Sequence, residues 1–202
     1  MRNVLLTGVG GQGTVLAAKV LAQAAQAKGW QVRTAETIGM AQRGGSVVSH
    51  VRMGDDGEEV IAPLVAKGTP DMIIAFEPAE AARVLPYLAP DGVMVSATTS
   101  IQPITAALSS EPYLAETTIA SLGKRLNGCA DAPARFILVD DEAVLSQVGN
   151  RKALNTVLLA FALKTRHLPL SLDDLRDAIR ACVKPRFVEL NLAAIDLVES
   201  KE

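Results

Sequence analysis

A glycine-punctuated junction near the start of the chain restricts its fold more than any other stretch. Val4-Leu5-Leu6-Thr7 is a short apolar run, Gly8-Val9-Gly10-Gly11-Gln12-Gly13 interrupts it, and Thr14-Val15-Leu16-Ala17-Ala18-Lys19-Val20-Leu21 continues with apolar residues at helical spacing. The order is strand, loop, helix. Gly8, Gly10 and Gly13 keep the G-x-G-x-x-G spacing. Such spacing gives a tight turn, close approach of a ligand to the backbone, and close packing of helix on strand. Free amides and the positive end of the helix dipole then meet at one point, where an anion such as a diphosphate is stabilised. Gly8, Gly10, Gly11, Gln12, Gly13 and Thr14 are therefore candidate cofactor-binding residues. The same glycines would equally serve a chain that merely turns at a sheet edge.

The first helix is expected to stop near Lys28-Gly29, and Trp30 to Glu36 reads as the second strand of a βαβ unit. Glu36 stands a little past 20 residues from the glycines, where dinucleotide folds keep a ribose-binding acid, and it is equally an acid that ends a strand. Beyond it, Gly39-Met40-Ala41-Gln42-Arg43-Gly44-Gly45 sets one guanidinium in flexible backbone, a combination suited to clamping phosphate or carboxylate. Gln42 and Arg43 are candidate substrate-binding residues. Val47 to Met53 alternates, with Val47, Ser49, Val51 and Met53 on one side and Val48, His50 and Arg52 on the other, as in an antiparallel or edge strand. Gly54-Asp55-Asp56-Gly57 is expected to turn a hairpin that returns over Glu58 to Ala62. His50 reads as a packed strand residue, because no second ligand sits at metal spacing.

Asp71 to Phe76 is a continuous apolar strand, and Glu77-Pro78 opens a helix through Tyr87. Glu77 is a third candidate for contact with substrate, or simply the acid at a helix N-terminus. Gly92 to Ser96 and Arg135 to Val139 are further strands. Thr117 to Leu126 and Asp141 to Val148 read as helices, and the Ser-, Thr- and Pro-rich stretch from Ala97 to Pro112 as an excursion. From Asn150 onward the pattern is helical, with Ser171 and Asp174 spaced as an approximate capping box. The expected fold class is α/β: a Rossmann-like, mostly parallel sheet flanked by helices, with a β-hairpin insertion and a helical C-terminal tail. One domain is expected over 1–202, its core at 1–149 and its tail at 150–202 packed on that core.

Several function classes are disfavoured by composition. Aromatic residues make up 3% and the formal net charge is -2, so neither base-stacking surfaces nor a basic nucleic-acid footprint is expected. No apolar run approaches the roughly 18 residues of a membrane span, and the short Val4-Leu5-Leu6 run is no secretory h-region, so a cytoplasmic location is expected. Cys129 and Cys182 lie far apart and supply no ligand set for zinc or an iron–sulfur cluster. No residue reads as a nucleophile or a proton-transfer base with a partner, so no catalytic residue is named. An NAD(P)-binding dehydrogenase and a non-catalytic nucleotide-binding or assembly module both remain compatible with these features.

Three stretches together are more specific: G-V-G-G-Q-G at Gly8–Gly13, E-T-I-G-M-A-Q-R-G-G-S-V-V-S-H-V-R at Glu36–Arg52, and D-M-I-I-A-F-E-P-A-E-A-A-R at Asp71–Arg83. With them the chain resembles the gamma-type domain of 2-oxoacid:ferredoxin oxidoreductases over nearly its whole length, most of all the small-subunit branch that acts on indolepyruvate. The resemblance implies oxidative decarboxylation of an arylpyruvate with coenzyme A, with electrons passed to ferredoxin. It also implies a large partner subunit that carries thiamine diphosphate and the iron–sulfur clusters, and therefore an oligomeric enzyme in which this chain alone is inactive. Loop chemistry makes coenzyme A the candidate ligand of the glycine loop.

Overall fold

The structure, a computed structural model, describes residues 1–39, 45–101, 113–128 and 133–201. The first strand, β1 (Arg2–Val9), alternates its apolar side chains between two cores. Val4 and Leu6 pack into one and Leu5 into the other. A strand covered on both faces reads as an unbroken apolar run, which is why this stretch shows no polar alternation. The same division holds for β4 (Met72–Ala75), where Met72 and Ile74 join the first core and Ile73 and Ala75 the second.

Six strands form one sheet in the order β2-β3-β1-β4-β5-β6, with β2 at Gln31–Ile38, β3 at Ser46–Gly54, β5 at Val93–Ala97 and β6 at Phe136–Val139. The pairings β1–β4, β4–β5 and β5–β6 are parallel, whereas β3 runs antiparallel to both β1 and β2. Helix α1 (Thr14–Ala27) lies on the first core with α5 (Leu154–Lys164), α6 (Leu172–Cys182) and α7 (Val188–Glu199). Helices α2 (Pro78–Val84) and α3 (Ala115–Leu126) cover the other face, and α4 (Asp141–Val148) follows β6. The helices after residue 150 complete the core that begins with β1, since Val157, Leu158 and Ile195 are buried in the same cluster as Val4 and Leu6.

Local signals account for the element ends. Gly29 takes a left-handed φ of 81° just past α1. Ser171 and Asp174 close a reciprocal capping box at the start of α6. The expected hairpin differs from the observed one. β2 and β3 form it, across the connection 39–45, and Glu58 to Ala62 is not a strand. Both edges of β3 are occupied, by β1 and β2, so a segment returning beyond Gly54 has no ladder to join. The chain instead doubles back so tightly that a Cβ on Gly54 would stand 2.1 Å from the Glu58 carbonyl oxygen. Asp55 is drawn to the amino terminus at 2.8 Å and to Arg2 Nε at 2.9 Å.

The alternation in β3 is realised, with Val47, Ser49, Val51 and Met53 all buried. His50, on the opposite side, is 5% exposed and its Nδ1 accepts a hydrogen bond from the Val65 amide at 3.1 Å. Burial lowers its pKa from the usual histidine value, against a smaller opposing pull from Glu36. The unfolded chain therefore binds a proton that the folded chain resists, and stability rises with pH across that interval. We expect full stability above about pH 6.5 and a loss as pH falls below it. His50→Leu should cost about 1–3 kcal/mol at pH 7.5, because the Val65 amide loses its acceptor. Urea unfolding at pH 7.5 and 5.5 checks both points: the drop between the two should be smaller in the variant than in the parent.

Candidate functional site

Helix α1 departs β1 toward one face of the sheet, and α2 departs β4 toward the other. The carboxyl ends of β1 and β4 therefore flank the topological switch point, where open α/β sheets bind dinucleotides. In this chain a side chain spans that gap. Gln12 Oε1 accepts from the Val9 amide at 2.7 Å, and its Nε2 donates to the Phe76 carbonyl at 2.8 Å. Gly8 allows the approach, since a Cβ there would meet Phe76 Cβ and Gln12 Oε1, each at 2.8 Å. Close packing of helix on strand is one job expected of such glycines; Gly8 instead allows close approach of the residue that follows the neighbouring strand β4.

Not every amide of the loop is available to a ligand. Gly10 N–H donates to Gly45 O at 2.9 Å and Gln12 N–H to Val9 O at 3.2 Å, which corrects the expectation that both present backbone donors. Gly11 and Gly13 adopt left-handed φ values of 99° and 87°, and their amides have no partner among the described residues. Gly13 is also the N-cap of α1 and offers no side-chain cap, so the amides of the first turn, beginning with the buried Thr14, stay open. Gly11 and Gly13 border a cleft of about 510 Å³. Leu16, Leu145 and Ile101 form part of its wall. Arg151, Lys152 and Asn155 come to it from the far end of the chain, and Asp141 and Thr99 from the ends of β6 and β5.

The two cations were missed by sequence reading. They sit in a 3-10 turn, Arg151–Ala153, that Asn150 caps by accepting from the Lys152 amide at 2.9 Å. Arg151 pairs loosely with Glu142 at 3.6 Å, and Lys152 Nζ stands 5.8 Å from the Phe187 ring centre. Uncapped amides at Gly11 and Gly13 and the cations Arg151 and Lys152 thus border one cleft, and such donors suit phosphate-like anions. A second cleft, about 650 Å³, is bordered by Thr98, Thr99, Ser100, Glu116, Leu138 and Glu142, so Thr99 lies between the two. Its charged lining is acidic, so it disfavours the same ligands.

The remaining candidates are placed as follows. Glu36 lies on the edge strand β2 with β3 between it and β1, roughly 10 Å across two strand spacings. The fold does not bring it to the glycine loop as a dinucleotide fold would. Gln42 and Arg43 lie outside the described residues. Glu77 is 1% exposed and caps α2: it accepts from the Glu80 amide at 3.0 Å and from Tyr113 Oη at 3.0 Å. Burial raises the pKa of Glu77, and burial beside that carboxylate raises the pKa of Tyr113. Glu77 therefore serves α2 and the chain around Tyr113 rather than reaching into the cleft. Among the described residues no three His, Cys, Asp or Glu side chains are grouped to hold a metal ion, and no helix is long and apolar enough to cross a membrane.

The family described as pyruvate ferredoxin/flavodoxin oxidoreductase matches residues 3–198. The chain belongs to that family. It is 36% identical over 196 residues to a Pyrococcus horikoshii protein named indolepyruvate oxidoreductase subunit IorB, covering 96% of this chain and 93% of that one. Among solved structures, the gamma subunit of a keto/oxoacid ferredoxin oxidoreductase from Geobacter sulfurreducens matches with a TM-score of 0.64 and 21% identity, over 98% of this chain and 96% of that one. A 2-oxoglutarate:ferredoxin oxidoreductase from Magnetococcus marinus, solved with 2-oxoglutarate, coenzyme A and succinyl-CoA bound, matches with a TM-score of 0.67 and 15% identity, over all of this chain and 31% of that one. At these identities the structural matches establish the α/β fold. In this oxidoreductase family member, the interposed β3 and the Gln12 bridge set the crevice apart from an NAD(P) site.

The geometry separates two glycines that look equivalent in sequence. Gly8→Ala should destabilise the chain by about 1–3 kcal/mol through overpacking on Phe76. At Gly10 the nearest atom to an added Cβ is 3.7 Å away, so Gly10→Ala should change stability by less than about 1 kcal/mol. Denaturant midpoints of the two variants measure the contrast.

Proposed function

We propose that this chain is the small subunit of an indolepyruvate-type 2-oxoacid:ferredoxin oxidoreductase, and that its cleft receives the phosphate end of coenzyme A. The supporting observation is the convergence of the open amides of Gly11, Gly13 and α1 with Arg151 and Lys152 on one cavity of about 510 Å³. The Magnetococcus marinus enzyme, 31% of whose chain this fold matches, was solved with coenzyme A, which agrees with that ligand class. The overall reaction is oxidative decarboxylation of an arylpyruvate with coenzyme A, giving an aryl-acetyl-CoA, carbon dioxide and reduced ferredoxin. Thiamine diphosphate and iron–sulfur clusters, held by a large partner subunit, supply the carbon–carbon cleavage and the electron path.

This chain's part is to bind and orient. Backbone amides and two cations hold a phosphorylated substrate without themselves reacting, and the fixed loop keeps the thiol end at a constant reach from the partner's site. Gln42 and Arg43, candidates from their residue chemistry, would add to that work, the Arg43 guanidinium being suited to a carboxylate or phosphate. The complex is placed in the cytoplasm, where ferredoxin would serve as acceptor.

Anaerobic purification of the tagged chain from its host should retain a large subunit with thiamine and iron. Recovery of this chain alone, without either, would defeat the proposal. In the complex, Arg151→Ala with Lys152→Ala should raise the KM for coenzyme A roughly 10-fold or more, as expected for loss of two charge-assisted phosphate contacts, with a much smaller change in kcat. Initial rates of acceptor reduction at varied coenzyme A measure this, and an unchanged KM would remove the cleft from the reading.

A further inference from the structure

Asp141 lines the same cleft and is 0% exposed. It begins α4. One oxygen is fully engaged: Oδ1 accepts from Thr98 N–H at 2.9 Å, Thr98 Oγ1 at 3.0 Å and Thr99 N–H at 3.0 Å. The other is not. Oδ2 is buried and meets no donor among the described residues, and neither does the buried Thr99 Oγ1 find a partner. Two residues tied to each other thus each leave one buried polar atom unpaired, and both residues border the same cavity. A buried carboxylate oxygen without a donor is costly, so a donor brought by a bound ligand would stabilise it.

We propose that Asp141 and Thr99 form a recognition pair for a neutral hydroxyl or amide group of the phosphorylated ligand. The group would donate its hydrogen to Asp141 Oδ2 and accept one from Thr99 Oγ1. Phosphate oxygens offer only acceptors, so they are repelled by Asp141 and held toward Arg151 and Lys152. The cleft therefore sorts a ligand by polarity: its anionic end toward the cations and open amides, a neutral donor-acceptor group toward Asp141. Inorganic phosphates satisfy the first condition only, whereas coenzyme A, with its ribose hydroxyl and pantetheine amides, satisfies both. The inference rests on the reading of the cleft given above.

Asp141→Asn isolates the decisive atom. Three donors hold the oxygen of the new side chain in the Oδ1 position, which puts the amide NH₂ where Oδ2 was and turns an acceptor into a donor without changing shape. Equilibrium binding to the assembled complex is measured with two probes, coenzyme A and inorganic pyrophosphate. The expected result is a roughly 10-fold or greater loss of coenzyme A affinity, with pyrophosphate binding unchanged or tightened. Equal behaviour of both probes would overturn the pair, and would assign the unpaired atoms to an ordered water. Should Asp141→Asn fail to fold, Thr99→Val decides the matter, because Thr99 Oγ1 makes no hydrogen bond to lose; the inference requires weakened coenzyme A binding with pyrophosphate retained. If the Arg151→Ala, Lys152→Ala complex binds coenzyme A as tightly as the parent, the reading of the cleft itself falls and the recognition pair with it.

Discussion

The Gln12 amide, stretched between the Val9 amide and the Phe76 carbonyl, decides what the carboxyl edge of this sheet can do. Two strands that diverge at a switch point ordinarily leave a crevice, and a dinucleotide fills it. Here one side chain joins their ends and satisfies a buried donor and a buried acceptor together. Removing it would leave both unpaired, which is more costly than the net worth of either hydrogen bond. Gly8 is part of the same constraint, because only a residue without Cβ lets Phe76 come within 2.8 Å of where that carbon would be. With that gap bridged, Gly11 and Gly13 border a cleft shared with Leu154 and Asn155 of α5.

The anion cleft is built from distant parts of the sequence. The amides at Gly11 and Gly13 belong to the first crossover, Thr99 and Asp141 follow β5 and β6, and Arg151 and Lys152 precede α5. Asn155 fixes the junction: a Cβ on Gly13 would lie 3.4 Å from its Nδ2, so α5 and the glycine loop are in near contact. The buried face of α5, from Asn155 through Leu163, therefore serves more than the core. It holds the two preceding cations at the loop, so packing of the C-terminal helices and composition of the site are one problem.

The fold was legible from sequence wherever a signal was local. Asp141–Val148, the Ser171–Asp174 box and the Gly29 stop all follow from caps and periodicity within a few residues. The even, odd alternation of β3 was legible too, but its partner was not. Pairing order depends on which edges are free, and a turn sequence such as Gly54-Asp55-Asp56-Gly57 carries no information about that. The same limit governs the site. The glycine loop announces itself through spacing, whereas Arg151 and Lys152 stand some 140 residues away with only the Gly149-Asn150 turn before them. Glu36 fails for the converse reason: its distance along the chain matches a dinucleotide fold, but β3 is interposed in space.

On the proposed reading, labour is divided between subunits: this chain binds and orients, and the partner carries the reacting cofactors. A thiol substrate brought to a reactive centre from solution loses translational and rotational freedom, and enzymes recover as much as about 7–11 kcal/mol by settling that loss before the chemical step. The chain that makes this contribution needs rigidity and complementary charge rather than reactive groups. Two left-handed glycines fixed by a stitched loop supply the first. Two cations and a half-satisfied carboxylate bordering one cleft supply the second, because together they would orient an elongated ligand. A cleft with cations alone would hold phosphates in any direction. Polarity at both ends fixes the direction, and a fixed direction is what turns binding at one subunit into reach at another.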